Sequence, residues 1–208
     1  MKKTVFWFFV FITLLLLFSF SLSFVSFTFS FYEHEFTTHD VYSSFPEYTT
    51  TFIHAQTQEL LDYLRGENDI LDTTFFNLKE QEHLRDVKHL FGSLSLLFYA
   101  SFFLFLSLFF IYGEKTLGKL FITTGLTAVG ITLLFFLTFK FAFDSLFLWF
   151  HNIAFTNTLW LLTPGVDNLI AFFPEVFFYD MALYTLLIVL GLSSSMLIVG
   201  LFMVKHKI

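Results

Sequence analysis

The sequence predicts an all-α membrane protein: four transmembrane helices and an extracellular cap formed by two outer segments. Three observations carry that reading. Four runs without a formal charge, Thr4 to Phe31, Leu90 to Tyr112, Leu120 to Phe139 and Met181 to Val204, reach the roughly 20 residues a helix needs to cross hydrocarbon. Of 208 residues, 56% are apolar and 13% charged, and 36 are Phe, more apolar matter than one soluble core of this size uses. The basic residues of the short connections fall on one side of a four-crossing layout.

Taken in order, residues 1–31 form the first crossing. This run follows Lys2 and Lys3, as a signal peptide would. Its apolar stretch is about twice the usual length of an export signal's core and no small-x-small cleavage site follows, so it reads as a retained anchor. Ser and Phe alternate from Ser19 to Phe31 with the period of a strand, but a lone strand cannot satisfy its backbone in lipid, which selects helix. Residues 32–89 form the cap, with twelve Asp and Glu against Arg65, Lys79, Arg85 and Lys88. Within it, Glu47 to Leu64 reads as a helix stopped by Gly66, and Asn77 with Glu80 reads as the start of a second helix that runs into the membrane. Residues 90–112 cross, 113–119 connect, and 120–139 cross back. Residues 140–180, broken by Pro164, Gly165 and Pro174 and bearing Trp149 and Trp160, form a second outer, interfacial segment. Residues 181–208 hold the fourth crossing and a tail. Lys2, Lys3, Lys115, Lys119, Lys205 and Lys207 then share one side, which the positive-inside rule makes cytoplasmic, both termini included.

Composition excludes several functions. With no Cys there is no disulfide, no thiol nucleophile, no Cys-ligated metal and no lipid on the protein's own cysteine. A net charge of -6 without a basic face excludes nucleic acid as a partner. Neither G-x-S-x-G nor H-E-x-x-H occurs, and there is no phosphate or dinucleotide glycine loop. No internal repeat appears, and contact with lipid accounts for the abundance of Phe.

Seven His remain, of which His83 and His151 sit where outer segments meet the membrane. Helical spacing puts Glu80, His83 and Asp86 on one face, where a carboxylate can fix the imidazole tautomer. The same residues also suit a solvated, mixed-charge helix start. Glu-x-x-His is a di-iron spacing too, but bundle sites of that kind use two such motifs and one is present. His151 follows Phe147, Leu148, Trp149 and Phe150, with Asp144 two helical turns earlier on the same face. It suits either an interfacial His facing headgroups or a desolvated imidazole in an aromatic pocket. His34, His39, His54, His89 and His206 read as surface residues of the cap or tail.

Phe75-Phe76-Asn77, Glu80, His83 and Asp86-Val87-Lys88, then Phe150-His151, Asn157, Trp160, Pro164, Asp167, Leu169-Ile170, Pro174, Phe177-Phe178 and Asp180, together with Phe31-Tyr32-Glu33, resemble the bacterial lipoprotein intramolecular transacylase family. The resemblance spans nearly the whole chain. The sequence departs from the family pattern at Leu78, Asn152, Thr158 and Thr163, where acidic residues are common, and at Asn168, where Arg is. The resemblance implies a membrane acyltransferase acting on a diacylglyceryl lipoprotein, with membrane lipid around it and without cofactor or metal. One acyl chain would move from the middle glyceryl oxygen to the α-amine of the N-terminal cysteine, giving the lyso form. Amine and ester belong to one molecule, so such an enzyme needs no nucleophile, only orientation and proton transfer. In that scheme His83 is the base, oriented by Asp86 or Glu80, and His151 the acid, with the reverse assignment open. Asn157 and Trp160 are candidates for oxyanion stabilisation, and Asp144 and Asp167 for support. Phe147, Trp149 and Phe150 would line the acyl pocket. A non-catalytic membrane scaffold and a metal-dependent membrane hydrolase, with His83 and His151 on one ion, are the alternatives.

Overall fold

The computed structural model describes residues 3–71 and 74–205. Lys2, Asp72, His206 and Lys207 lie outside the described residues. Seven α-helices follow in order: α1 (Lys3–Ser26), α2 (Phe29–Thr38), α3 (Thr50–Arg65), α4 (Leu78–Ile111), α5 (Glu114–Ala154), α6 (Asn168–Phe172) and α7 (Glu175–Lys205). A short 3-10 turn, Val41–Ser44, lies between α2 and α3. Among the described residues there is no strand. Helices α1, α4, α5 and α7 are long and apolar enough to cross a membrane, so the expected all-α fold with four spans is observed. The chain divides into two compact units.

The first unit comprises residues up to Phe24, Leu94–Phe141 and those from Ala182 on. Phe9 and Val10 of α1, Leu108 of α4 and Leu117 and Leu120 of α5 form a buried cluster, edged by Phe105, Tyr112 and Met203. Trp7, Phe11, Phe103, Phe110, Leu134 and Phe202 point outward, as side chains facing hydrocarbon do. Hydroxyls within the apolar runs donate to their own helix. Ser19 reaches Leu15 O at 2.7 Å and Ser21 reaches Leu17 O at 2.8 Å, so the alternating Ser and Phe of α1 are satisfied as a helix without a neighbouring strand.

Helices α5 and α7 pack with backbone against backbone. A Cβ at Gly125 would lie 2.8 Å from Ser193 O and 3.0 Å from Leu197 Cβ, and one at Gly200 would lie 2.8 Å from Gly118 O. Small residues at such a crossing let dispersion act at close range, which lipid cannot replace. Gly125→Val is therefore expected to lower the thermal stability of the detergent-solubilised protein, by about 1–3 kcal/mol from overpacking. Gly130→Val, whose Cβ meets nothing within 4 Å, should leave the melting temperature near that of wild type.

The second unit comprises Val25–Ser93 and Ala142–Met181. Its core is aromatic: Phe36 and Phe172 lie 4.9 Å apart between centroids, Phe75 and Phe172 5.3 Å, and Phe31 and Phe177 5.3 Å. Part of the Phe richness therefore fills this core rather than meeting lipid, because Phe36, Phe76, Phe172 and Phe177 are fully buried.

Several boundaries differ from expectation. The first helix stops at Ser26 instead of continuing to Phe31, and α2 begins after a turn. The carbonyls freed there find side chains, since Tyr32 OH donates to Ser26 O at 2.6 Å and Arg65 Nη2 to Phe27 O at 2.8 Å. Helix α3 starts at Thr50, later than Glu47, because Thr49 caps it, its hydroxyl accepting from Phe52 N at 3.2 Å. Gly66 ends α3 as expected. At φ +84° its N–H meets Tyr63 O, and the Glu67 N–H meets Asp62 O, the paired bonds of a Schellman motif. Helix α5 runs on through much of the expected interfacial segment, broken locally at Ala142 (φ -144°, ψ 25°). Helix α7 starts at Glu175 rather than Met181, directly after Pro174, whose fixed φ suits a helix entry.

Candidate active site

The site is built from the start of α4, the end of α5 and the loop between α5 and α6, all in the second unit. Asn77 and Glu80 form the expected reciprocal cap. Asn77 Oδ1 accepts from Glu80 N at 3.1 Å, and Glu80 Oε2 accepts from Asn77 N at 2.6 Å. The second carboxylate oxygen of Glu80 accepts from Leu169 N, which ties the first turn of α4 to α6. Both oxygens are thus engaged with backbone, and Glu80 joins segments rather than orienting an imidazole.

One turn later, His83 is buried, 7% exposed, with its Nδ1 unpaired. Its ring lies 5.0 Å from that of Phe155. His151, in the last turn of α5, lies 5.7 Å from the same ring. Two imidazoles 68 residues apart in sequence therefore share one aromatic partner. His151 Nδ1 is 2.7 Å from Phe147 O, and a carbonyl only accepts, so Nδ1 carries the proton and Nε2 is the nitrogen left for chemistry. Phe147 (4.3 Å), Trp160 (5.0 Å) and Phe150 (5.4 Å) surround the His151 ring.

The loop after α5 is held by a chain of polar contacts. Asp86 Oδ2 accepts from Asn157 Nδ2 at 2.8 Å, Asn157 Oδ1 accepts from Leu159 N, and Asn157 O accepts from Trp160 Nε1 at 3.0 Å. Asp86 thus reaches His151 through Asn157 and the Trp160 indole. Beyond this, Thr163, Pro164, Gly165 and Val166 make a turn closed by Val166 N to Thr163 O, with Gly165 at φ +76°. A third turn residue at positive φ after a Pro is the composition of a type II turn.

Asp167 ties that turn to the start of α4. Its Oδ2 accepts from Thr163 N at 2.7 Å and Lys79 Nζ at 3.1 Å, and its Oδ1 from Asn77 Nδ2 at 2.8 Å. The Thr163 N–H, with Asn77 and Lys79, holds its carboxyl below the usual range despite burial. Lys79 also donates to Leu161 O at 2.7 Å.

Of the residues singled out by sequence, the structure brings together His83, His151, Asp86, Asn157, Trp160, Phe147 and Phe150. Trp149 is 63% exposed, and Asp144 is also exposed. Asp144 instead lies close enough to Glu175 to raise that carboxyl further, after the larger effect of burial. Phe155 and Lys79 were missed. Both stand at helical spacing from a singled-out His, Phe155 four residues after His151 and Lys79 four before His83, which is the signal that would have found them.

Four helices long and apolar enough to cross a membrane, with two imidazoles on one aromatic ring, define an all-helical membrane protein. The chain matches the model of the lipoprotein intramolecular transacylase Lit over residues 7–178. It belongs to that family, and is an acyltransferase. Among solved structures it is similar to the membrane integral lipoprotein intramolecular transacylase Lit from Bacillus cereus, with a TM-score of 0.86 at 21% identity over 99% of this chain and 96% of that one. Two further structures of the Bacillus cereus protein, in which one histidine is replaced by arginine or by alanine, match with TM-scores of 0.79 and 0.78 at 22% identity. They cover 99% of this chain and 92% and 94% of theirs. Comparison with curated proteins found no match.

Proposed function

We propose that this acyltransferase moves one acyl chain from the middle glyceryl oxygen of a diacylglyceryl lipoprotein to the α-amine of the lipoprotein's own N-terminal cysteine, with His83 and His151 moving the protons. The observation that carries the reading is the packing of both imidazoles against the one Phe155 ring, at 5.0 Å and 5.7 Å. The free amine attacks the ester carbonyl, and the tetrahedral adduct closes a medium-sized ring through the cysteine and the glyceryl carbons. The nitrogen's extra proton passes to His83. His151 delivers a proton to the glyceryl oxygen as the C–O bond breaks, leaving an amide and a free hydroxyl. Exchange with water returns each imidazole to its starting state.

Hydrogen bonding supports this division. An imidazolium at His151 keeps a carbonyl acceptor for Nδ1–H at Phe147, whereas one at His83 would bury an N–H without an acceptor. His151 is thus the better proton donor and His83 the better neutral base. Asn157 and Trp160 support His151, and Phe147 and Phe150 are placed to exclude water from it.

The experiment that tests the reaction is a crossover. A mixture of isotope-labelled and unlabelled diacylglyceryl lipoproteins should give N-acylated lyso products with no exchange of chains between molecules. Substrate already acylated on its α-amine should be inert, since the attacking group is gone. Scrambled chains would show a bimolecular transfer or an acyl-enzyme, and release of fatty acid from the blocked substrate would show an esterase.

The second unit is further proposed to be a cap on the outer face of a bacterial cell membrane, with both termini cytoplasmic, from the placement of Lys in the connections. Cys placed at exposed Glu47 should react with an impermeant thiol reagent on intact cells. Labelling that appears only after lysis would reverse the orientation.

A further inference from the structure

Three side chains outside the imidazole pair gather at one point of the second unit. Glu35 on α2, His39 at the C-terminal cap of α2 and Asp180 in the second turn of α7 place one ligand atom each within 4.8 Å of one another. His39 Nε2 lies 2.8 Å from Asp180 Oδ2 and 3.2 Å from Glu35 Oε2. The sequence marks His39 as a surface residue, yet here it bridges two carboxylates. Glu35 is 2% exposed, among buried Phe31, Tyr32 and Phe36, and its Oε2 has no hydrogen-bond partner.

Two ionised carboxylates facing one imidazole leave at least one negative charge unmatched whether or not the imidazole is protonated, and burying it without compensation is costly. Among the described residues no Lys or Arg pairs with either acid; His39 is the ion-pair partner of both. We infer that Glu35, His39 and Asp180 form a binding site for a divalent transition-metal ion, with zinc as its representative. An imidazole with two carboxylates suits zinc better than magnesium or calcium, which prefer all-oxygen shells.

Geometry agrees with that choice. Bonds of about 2.0–2.1 Å in a tetrahedral site set neighbouring ligand atoms about 3.3 Å apart. The 3.2 Å pair already meets this spacing, and the 2.8 Å pair meets it after opening by about half an ångström. The ion would replace the His39–Asp180 hydrogen bond, give Glu35 Oε2 its missing partner and leave a fourth position for water. The site is structural: it fastens α2 to the start of α7. Two residues before Asp180, Phe178 packs 5.4 Å from Phe147, the ring that lies on His151.

The test is zinc binding to the full chain in lipid nanodiscs after metal has been stripped with a chelator. Calorimetry should give one zinc ion per chain, with affinity at least tenfold weaker in both His39→Gln and Asp180→Asn and unchanged in His54→Gln. X-ray absorption of the wild-type zinc complex, which needs no variant to fold, should show one imidazole and otherwise oxygen ligands. Absence of stoichiometric binding, wild-type affinity in His39→Gln and Asp180→Asn, or two imidazoles on the ion would overturn the assignment. Two imidazoles lost together in His83→Ala would place the metal at the proposed catalytic pair instead.

Discussion

His83→Ala and His151→Ala are each expected to reduce conversion of diacylglyceryl lipoprotein to the N-acyl lyso form by roughly 10²–10⁴-fold, the usual contribution of a positioned acid or base. Membrane insertion and the melting temperature should change little for His151, which is half-buried at the end of α5. His83 is buried against Phe155, so its variant needs the rate expressed per folded molecule. The two losses should not multiply in the double variant, because removing either group already breaks the proton circuit. Phe147→Ala offers a graded comparison: it keeps both imidazoles and the Phe147 carbonyl that fixes the His151 tautomer, and removes only the ring against it. A full rate in either His variant would remove that residue from the chemistry.

Glu80→Ala is expected to have the largest effect on stability, about 3 kcal/mol or more. The side chain is 1% exposed, and its carboxylate serves the N–H groups of Asn77 and Leu169, one on the approach to α4 and one in α6. Alanine leaves the buried Leu169 N–H without an acceptor and takes from the part-buried Asn77 N–H its side-chain partner. Glu80→Gln keeps an amide oxygen for one of them, so its loss should be intermediate. Denaturant or thermal unfolding in detergent orders the three proteins, and limited proteolysis should open the second unit first in Glu80→Ala. Should Glu80→Gln keep wild-type stability but lose the reaction, Glu80 would belong to the chemistry and not to the frame.

Asp86 shows how a helix pattern finds one neighbour of a side chain and misses another. Spacing of three puts Asp86 and His83 on one face, and the sequence therefore offers Asp86 as an orienting carboxylate. A face one turn deep also meets whatever packs beside it. Here that is Asn157, 71 residues on, which takes the Asp86 carboxylate and carries the contact to Trp160 and His151. Glu80 is diverted in the same way by Leu169. Both acids take part in the site by fixing the loops around the imidazoles.

What the sequence by itself determined were properties that depend on nearest neighbours and on solvent. Charge-free length marked the four spans, since hydrocarbon tolerates neither charge nor unpaired backbone. Asn77 with Glu80 and the positive φ of Gly66 marked helix ends through bonds made within a turn or two. The position of His83 one turn after Glu80 was legible for the same reason. Only the tertiary structure decided which groups meet: Phe155 against both imidazoles, Arg65 and Tyr32 on the carbonyls where α1 breaks, and Asp180 on His39. Those pairings join residues 4 to 141 positions apart, and most depend on how whole helices pack, a choice no local spacing records.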